Sequence, residues 1–176
     1  GVTAEEQGLI GSLYLAKHPP VPPSKIAADF NMDVTSVHGE TADFTLLGLD
    51  RTSLGPLAER VARTMNVRLD PDAHPEQGSY FRSDHFSLVR VGIPAINVEP
   101  GWLIRGHDRA YGEKLFQDYN HNHYHQPSDE FDPKWDLSGT VQETRFILRL
   151  MDAVSEAPAM PKLRTEGMPA AVNLSH

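Results

Sequence analysis

The chain has 176 residues, of which 39% are hydrophobic and 23% are charged, a composition typical of one globular domain with its own core. The formal net charge of −8 argues against a nucleic-acid-binding surface, and no apolar run approaches the length of about 20 residues that spans a membrane. Because the chain contains no cysteine, disulfides and thiolate zinc sites are excluded, and imidazole and carboxylate groups are the candidate metal ligands.

Two adjacent carboxylates, Glu5 and Glu6, lie at the first predicted strand-to-helix junction of the chain. They follow an expected strand end at residues 1–3 and precede a glycine-punctuated helix expected over residues 9–16. Such strand-to-helix junctions are where α/β proteins place their chemistry. The spacing of Thr3 and Glu6 also matches a helix capping box, which would be purely structural. A capping box does not require Glu5 or the two glycines that follow, so both interpretations stay open here.

The rest of the chain alternates between predicted strands and helices. Residues 25–33 alternate apolar and polar side chains, which predicts a strand with Asp33 at its end. Further strands are predicted at residues 45–49, 66–69 and 92–99. Helices are predicted at residues 54–65, from Ser83 onward and at 137–154, with Ser53 and Ser83 as caps. This alternation favours an α/β fold with a largely parallel sheet.

Two segments lack a clear periodic pattern. Residues 100–136 are predicted to be a long irregular loop, which in a compact domain is often functional. The proline-rich tail at residues 157–176 is predicted to be a loose arm or a strap over the domain.

Candidate ligands lie at predicted strand ends and in the long loop: Glu5, Glu6, Asp33 and His125. Carboxylate and imidazole groups of this kind suit zinc. Because His121, His123 and His125 alternate, an extended backbone would point all three the same way, so a single-metal three-histidine site is an alternative. For His121 and His123 we favour the simpler interpretation that they hydrogen-bond within a polar loop.

Four motifs occur in an order that resembles a known family. They are residues 3–12 (TAEEQGLIGS), 31–33 (NMD), 83–86 (SDHF) with 92–95 (GIPA), and 124–129 (YHQPSD). Together they are similar to the zinc exopeptidases of metallopeptidase family 28, over about residues 1–156. The resemblance implies a three-layer sandwich with a mostly parallel central sheet flanked by helices. It also implies a two-zinc aminopeptidase that removes the amino-terminal residue from a peptide substrate, and export to the periplasm or outside the cell.

The same resemblance implies roles for individual residues. Glu5 would be the general base, Glu6 and His125 would bind one zinc ion, and Asp33 would bind a second. Two zinc ions would then activate water and stabilise the developing oxyanion together. The segment 83–85 resembles the family's stretch near the substrate pocket, and no catalytic role is assigned to it.

In this family a further histidine ligand and the bridging aspartate precede the Glu-Glu motif, whereas here that motif begins near residue 1. We therefore expect residues 1–156 to be the C-terminal portion of a catalytic domain truncated at its N-terminal strands. With at most two ligands per zinc, the chain alone should bind one zinc ion or none and be inactive. An exposed sheet edge would permit self-association.

Two other functions remain open from the sequence. A glutaminyl cyclase-like acyltransferase shares the fold and commonly uses one zinc ion. A non-catalytic scaffold of the same ancestry would need none of the four candidate residues, so the presence of Glu5, Glu6, Asp33 and His125 weighs against it.

Overall fold

The structure, a computed structural model, describes residues 1–164. Its helices are α1 (Ile10–Lys17), α2 (Gly55–Thr64), α3 (His85–Val89), α4 (Arg109–Asn122) and α5 (Ser138–Ser155). Its strands are β1 (Asp29–Asn31), β2 (Asp43–Leu47), β3 (Arg68–Asp70) and β4 (Ala95–Pro100). In the described residues, no helix is both long enough and apolar enough to span a bilayer.

The described strands form one open, mixed sheet in the order β1-β4-β2-β3. β1 pairs with β4 and β2 pairs with β3 in parallel, whereas β2 and β4 are antiparallel. The carboxyl ends of β1 and β4 therefore lie at the same end of the sheet, where Asp33 follows β1. Strands β1 and β3 form the two edges, and self-association through an edge stays a prediction.

Helices cover both faces of the sheet, which confirms the predicted α/β sandwich. One face packs against α2 and α5 and forms a core cluster that includes Phe44, Ile96, Val98, Phe146 and Leu150. The other face packs against α1 and α3, in a cluster that includes Leu47, Leu88, Ile93 and Ala95. Neighbouring residues of β4, Ala95 and Ile96, belong to different clusters because successive side chains of a strand point to opposite faces.

The amino-terminal segment differs from its prediction. Residues 1–4 are irregular instead of a strand end, and α1 begins after Leu9, so the alternative of a capping box at Thr3 and Glu6 is not formed. Glu5 and Glu6 lie in a turn in which the Glu5 carbonyl accepts hydrogen bonds from the amides of Gly8 and Leu9. A Cβ atom on Gly11 would lie 2.3 Å from the Thr3 carbonyl oxygen. Glycine at this position lets the start of the chain lie directly against α1.

The long irregular segment predicted at residues 100–136 contains a helix, α4. Its first turn is capped by Asp108, whose carboxylate accepts a hydrogen bond from the Tyr111 amide at 2.9 Å. Arg109 and Glu113 form an ion pair one turn apart. Hydrophobic periodicity could not predict this helix because the residue it buries is Gly112.

Smaller corrections concern caps and exposed positions. Ser53 and Ser83 are not helix caps: the Ser53 hydroxyl accepts from the Lys162 amide, and the Ser83 hydroxyl accepts from Asn31. On α5, Val141 was expected to face inward but is 50% exposed. The prediction of a tail at residues 157–176 falls partly outside the described residues. Within its described part, residues 162–164 bond to the backbone and side chains of residues 51–53.

Glu143 on α5 should make stability depend on pH. Its side chain is fully buried, and this burial raises its pKa to about 7 from an ordinary 4.5, with a smaller contribution from Glu99 and an opposing hydrogen bond from the Ser36 amide. The folded state therefore holds the proton more tightly than the unfolded state. The stabilisation of the folded state by the protonated Glu143 is fully present below pH 4.5 and is lost as the pH rises through about 7.

Replacing Glu143 with glutamine should remove the free-energy cost of burying the ionised carboxylate. At about 1.4 kcal/mol per pKa unit, the unfolding free energy at pH 8 should rise by on the order of 2–3 kcal/mol, with little change at pH 5. Urea denaturation at both pH values measures the difference, with Glu59→Gln on the exposed face of α2 as the matched control. Equal effects of Glu143→Gln at pH 5 and pH 8 would contradict the prediction.

Candidate metal centre

The central contact of the candidate site joins two distant parts of the chain. The Nε2 atom of His125 lies 2.7 Å from the Oε1 atom of Glu6, across 119 residues of sequence. Glu6 belongs to the turn before α1, and His125 lies just beyond α4. Both side chains are more than half exposed. An imidazole and a carboxylate that converge at an accessible surface form a pair of donors suited to a zinc ion.

Glu5 and Asp33 lie in the electrostatic environment of this pair. Burial is the main cause that raises the pKa of Glu5, and nearby carboxylates raise it further, those of Glu6, Asp33 and Asp84. His125 acts in the opposite direction. Burial also raises the pKa of Asp33, followed by the charges of Asp84 and Glu6. The four residues singled out in the sequence are thus brought into one negatively charged region.

The backbone around the pair adopts an uncommon conformation. Ala4, directly before Glu5, has a φ of 57°, and His125 has a φ of 58°. Non-glycine residues in this left-handed region cost about 1–2 kcal/mol each. The Tyr124 ring stacks on the His125 imidazole, with centroids 3.8 Å apart. Strained residues of this kind cluster at functional sites, where the surrounding structure holds side chains in place.

A polar network that the sequence did not predict lies at the carboxyl ends of β1 and β4. The amide of Asn31 donates to the Ser83 hydroxyl and to the side-chain oxygen of Asn97, both at 2.9 Å. Asn97 in turn donates to Glu99 at 3.0 Å. Burial is the main reason that the pKa of Glu99 rises to about 7. Asn97 and Glu99 alternate along β4, and this polar alternation in a buried strand was the available signal.

Asp84 also belongs to this region, although no role was assigned to it. It is partly buried, and its Oδ1 atom has no hydrogen-bond partner among residues 1–164. Its charge raises the pKa of Glu5, Asp33 and Asp29. For Asp29, burial is the larger cause and brings the pKa to about 6.

Three other histidines among the described residues, His85, His121 and His123, do not join the site. His121 lies within α4 and His123 directly follows it, so the extended backbone that a three-histidine site requires is not formed. The Nδ1 atom of His123 lies 3.2 Å from the Ser128 carbonyl oxygen, in agreement with the simpler polar-loop interpretation. His85 is fully buried with its ring 5.0 Å from that of Tyr80. Burial lowers the pKa of His85 to about 4, which indicates a neutral packing residue.

The donors present fit part of a zinc centre. A catalytic zinc ion usually has three protein ligands and an open position for water. Among residues 1–164, no group of three His, Asp or Glu side chains is arranged to hold a metal ion. The closest arrangement is the pair Glu6 and His125. The ligand types fit zinc, but the described residues do not supply a complete ligand set.

Comparisons with known proteins agree with the fold and the motifs. Residues 1–148 match Peptidase family M28. Among solved structures, the chain is similar to an aminopeptidase from Aneurinibacillus sp. strain AM-1, with a TM-score of 0.53 and 20% sequence identity. That match covers 96% of this chain and 35% of the other, so the chain spans about a third of its length. At this identity the likeness concerns the fold. The comparison with curated proteins found no match.

Proposed function

The chain belongs to peptidase family M28, and we propose that it is part of a zinc-dependent aminopeptidase that releases amino-terminal residues from peptides. The observation that carries this proposal is the contact between Glu6 and His125 at 2.7 Å. A chance surface contact between residues so far apart in sequence would not also bring Asp33 into the electrostatic environment of Glu6. The family gives the reaction class, peptide hydrolysis. Zinc dependence and the preference for amino-terminal residues are our proposal.

In this proposal Glu6 and His125 would hold one zinc ion and Asp33 would contribute to a second. Zinc held there would supply Lewis acidity, which makes a water molecule a better nucleophile and polarises the scissile carbonyl. Glu5 accepts the proton from that water and delivers it to the leaving amine. A carboxylate with a raised pKa suits this task, since it ionises closer to the working pH than an ordinary glutamate.

The negative region around Glu5 also suits the substrate. An aminopeptidase substrate carries an α-ammonium group beside the scissile bond, and clustered carboxylates attract a cation. Asp33 and Asp84 add to the charge of the Glu5-Glu6 pair. The polar network from Asn31 to Glu99 lies at the same end of the sheet as Asp33, which follows β1.

The isolated chain should lack activity. With two donors at one position, a zinc ion would bind weakly, because catalytic centres need a third protein ligand to hold the metal in place. A complete site would hold two zinc ions, whereas this chain alone should retain one or none. The remaining ligands would come from polypeptide outside residues 1–164.

The test compares the 176-residue chain with a longer protein that carries it. Each is incubated with zinc and an aminoacyl p-nitroanilide, and zinc content is measured by elemental analysis. The longer protein should release p-nitroaniline and lose this activity with a chelator, whereas the chain alone should give the background rate. An N-acetylated substrate is the control, since an aminopeptidase should not cleave it.

Three results would contradict the proposal. Turnover by the isolated chain would show that its own residues complete the site. Cyclisation of an amino-terminal glutamine by the longer protein, without release of residues, would indicate a glutaminyl cyclase-like enzyme. A longer protein that contains no metal and releases no product would indicate a scaffold.

A further inference from the structure

The loop between β1 and β2, residues 32–42, carries Asp33 and lies against the first turns of α5. Most contacts in this region join side chains of α5 to the loop backbone. Asp33 lies three residues before Ser36, whose backbone is bonded to α5, so these contacts restrict where the Asp33 side chain can lie. The residues that make them were not candidates in the sequence, because they lie more than 100 positions from Asp33.

Glu143 and Gln142 bind the loop at two separate points. The Oε1 atom of Glu143 accepts a hydrogen bond from the Ser36 amide at 2.9 Å. Gln142 contacts Thr41 twice, accepting from its amide and donating to its carbonyl oxygen, each at 2.9 Å. Glu143 is fully buried and Gln142 is 3% exposed. Buried hydrogen bonds of this kind are strongly directional and exclude competing water.

The packing of α5 brings these side chains within reach of the loop. A Cβ atom on Gly139 would lie 2.3 Å from the Gly39 carbonyl oxygen and 2.5 Å from the Ser36 Cβ. Any larger residue at position 139 would therefore push the helix away. The hydroxyl of Thr140 also donates to the Ser36 carbonyl oxygen at 3.1 Å. Both the amide and the carbonyl of Ser36 are thus bonded to α5.

The two oxygens of the Glu143 carboxylate differ in their surroundings. Oε2 is buried and has no hydrogen-bond partner among the described residues. The carboxylate thus destabilises the folded chain when ionised, yet its other oxygen satisfies the Ser36 amide. Glutamine offers the same acceptor without the charge, whereas leucine offers neither. The two substitutions therefore separate the hydrogen bond from the charge.

We propose that Glu143 and Gln142 are positioning residues, which fix residues 32–42 to α5 and so hold Asp33 at the candidate metal centre. The consequence for catalysis rests on the proposed function, in which Asp33 is a zinc ligand. The positioning itself does not, since it concerns the backbone of the loop. In metalloenzymes, mutation of residues that hold metal ligands in place typically lowers metal affinity or activity by about 10–100-fold.

The first experiment uses NMR on the 176-residue chain with Glu143→Leu, Glu143→Gln and the control Leu150→Ala. Leu150 is fully buried on the same helix and packs in the core, so its truncation destabilises the chain without removing a loop contact. In Glu143→Leu, amide exchange at Ser36 should accelerate about 10-fold more than that of core amides, and the Asp33 amide resonance should shift. After correction for global stability, Glu143→Gln should restore the Ser36 exchange rate and the Asp33 resonance to wild-type values, and Leu150→Ala should leave both unchanged.

Two results would overturn the proposal. One is an unshifted Asp33 resonance and a protected Ser36 amide in Glu143→Leu. The other is a failure of Glu143→Gln to restore them. If Glu143→Leu does not fold, Gln142→Leu provides the same comparison, with exchange measured at the Thr41 amide.

The second experiment uses the longer protein with zinc. Glu143→Leu should weaken zinc binding about 10-fold or more in competition with a chromophoric chelator, and Glu143→Gln should bind as wild type. Unchanged zinc affinity in Glu143→Leu would show that the loop contacts do not position Asp33 for the metal. If the longer protein has no peptidase activity, the proposed function fails, while the NMR comparison still decides whether Glu143 positions the loop.

Discussion

Glutamine at position 5 should lower kcat of the zinc-loaded longer protein by about 10²–10⁴-fold, because general-base catalysis contributes a factor of this size. The amide is nearly isosteric with the carboxylate but cannot accept the proton. Glu5 is not paired directly with His125, the partner of Glu6, so zinc content should stay unchanged. Steady-state kinetics on an aminoacyl p-nitroanilide, together with elemental analysis, measures both quantities.

The pH profile adds a second test of the same residue. Activity should fall at acidic pH, where the Glu5 carboxylate is protonated and can no longer accept a proton. Glu5→Gln should abolish this acidic limb. Glu59→Gln, an exposed carboxylate on α2, is the control and should leave kcat unchanged. A loss of zinc in Glu5→Gln would instead make Glu5 a ligand, and an unchanged kcat would exclude it as the base.

Replacing Phe146 with alanine should cost about 3–5 kcal/mol of unfolding free energy, the usual range for a fully buried phenylalanine. Phe146 has no exposed surface and packs edge-to-face on Phe44, with ring centroids 5.3 Å apart. The pair joins α5 to β2 at the centre of the larger core cluster. Urea denaturation of the 176-residue chain, followed by circular dichroism, measures the loss.

Leu148→Ala provides the matched control on the same helix. Leu148 is 56% exposed, and its truncation should change the unfolding free energy by less than about 0.5 kcal/mol. Comparable losses in the two variants would mean that α5 does not pack through Phe146 as described.

Much of the fold followed from sequence patterns where burial dictates residue choice. The helix predicted at 137–154 is present as Ser138–Ser155, and the buried strand predicted at 92–99 is present as Ala95–Pro100. In both, apolar side chains repeat with the period of the element because one face must leave water. The expected strand at residues 1–3 and the missed helix α4 are the opposite case. Neither segment has a buried apolar face that the sequence could reveal.

The candidate site also contains residues that the sequence singled out and residues that it did not. Glu5, Glu6, Asp33 and His125 stood out because their types and motifs suit metal chemistry, and their roles stay predictions. The structure brings Glu6 and His125 into contact. Residues that act through neutral hydrogen bonds, such as Asn31 and Asn97, carried no comparable chemical signature.

The sequence by itself determined the α/β class, the helices predicted at 54–65 and 137–154, the family resemblance and the four acidic and histidine candidates. Each of these depends on residue type and local spacing. Tertiary structure alone decided that Gly11 admits the Thr3 backbone, that His125 adopts a left-handed backbone, and that Glu143 binds the loop bearing Asp33. Those features depend on contacts between segments far apart in the chain, and such contacts form only when burial of the core brings the segments together.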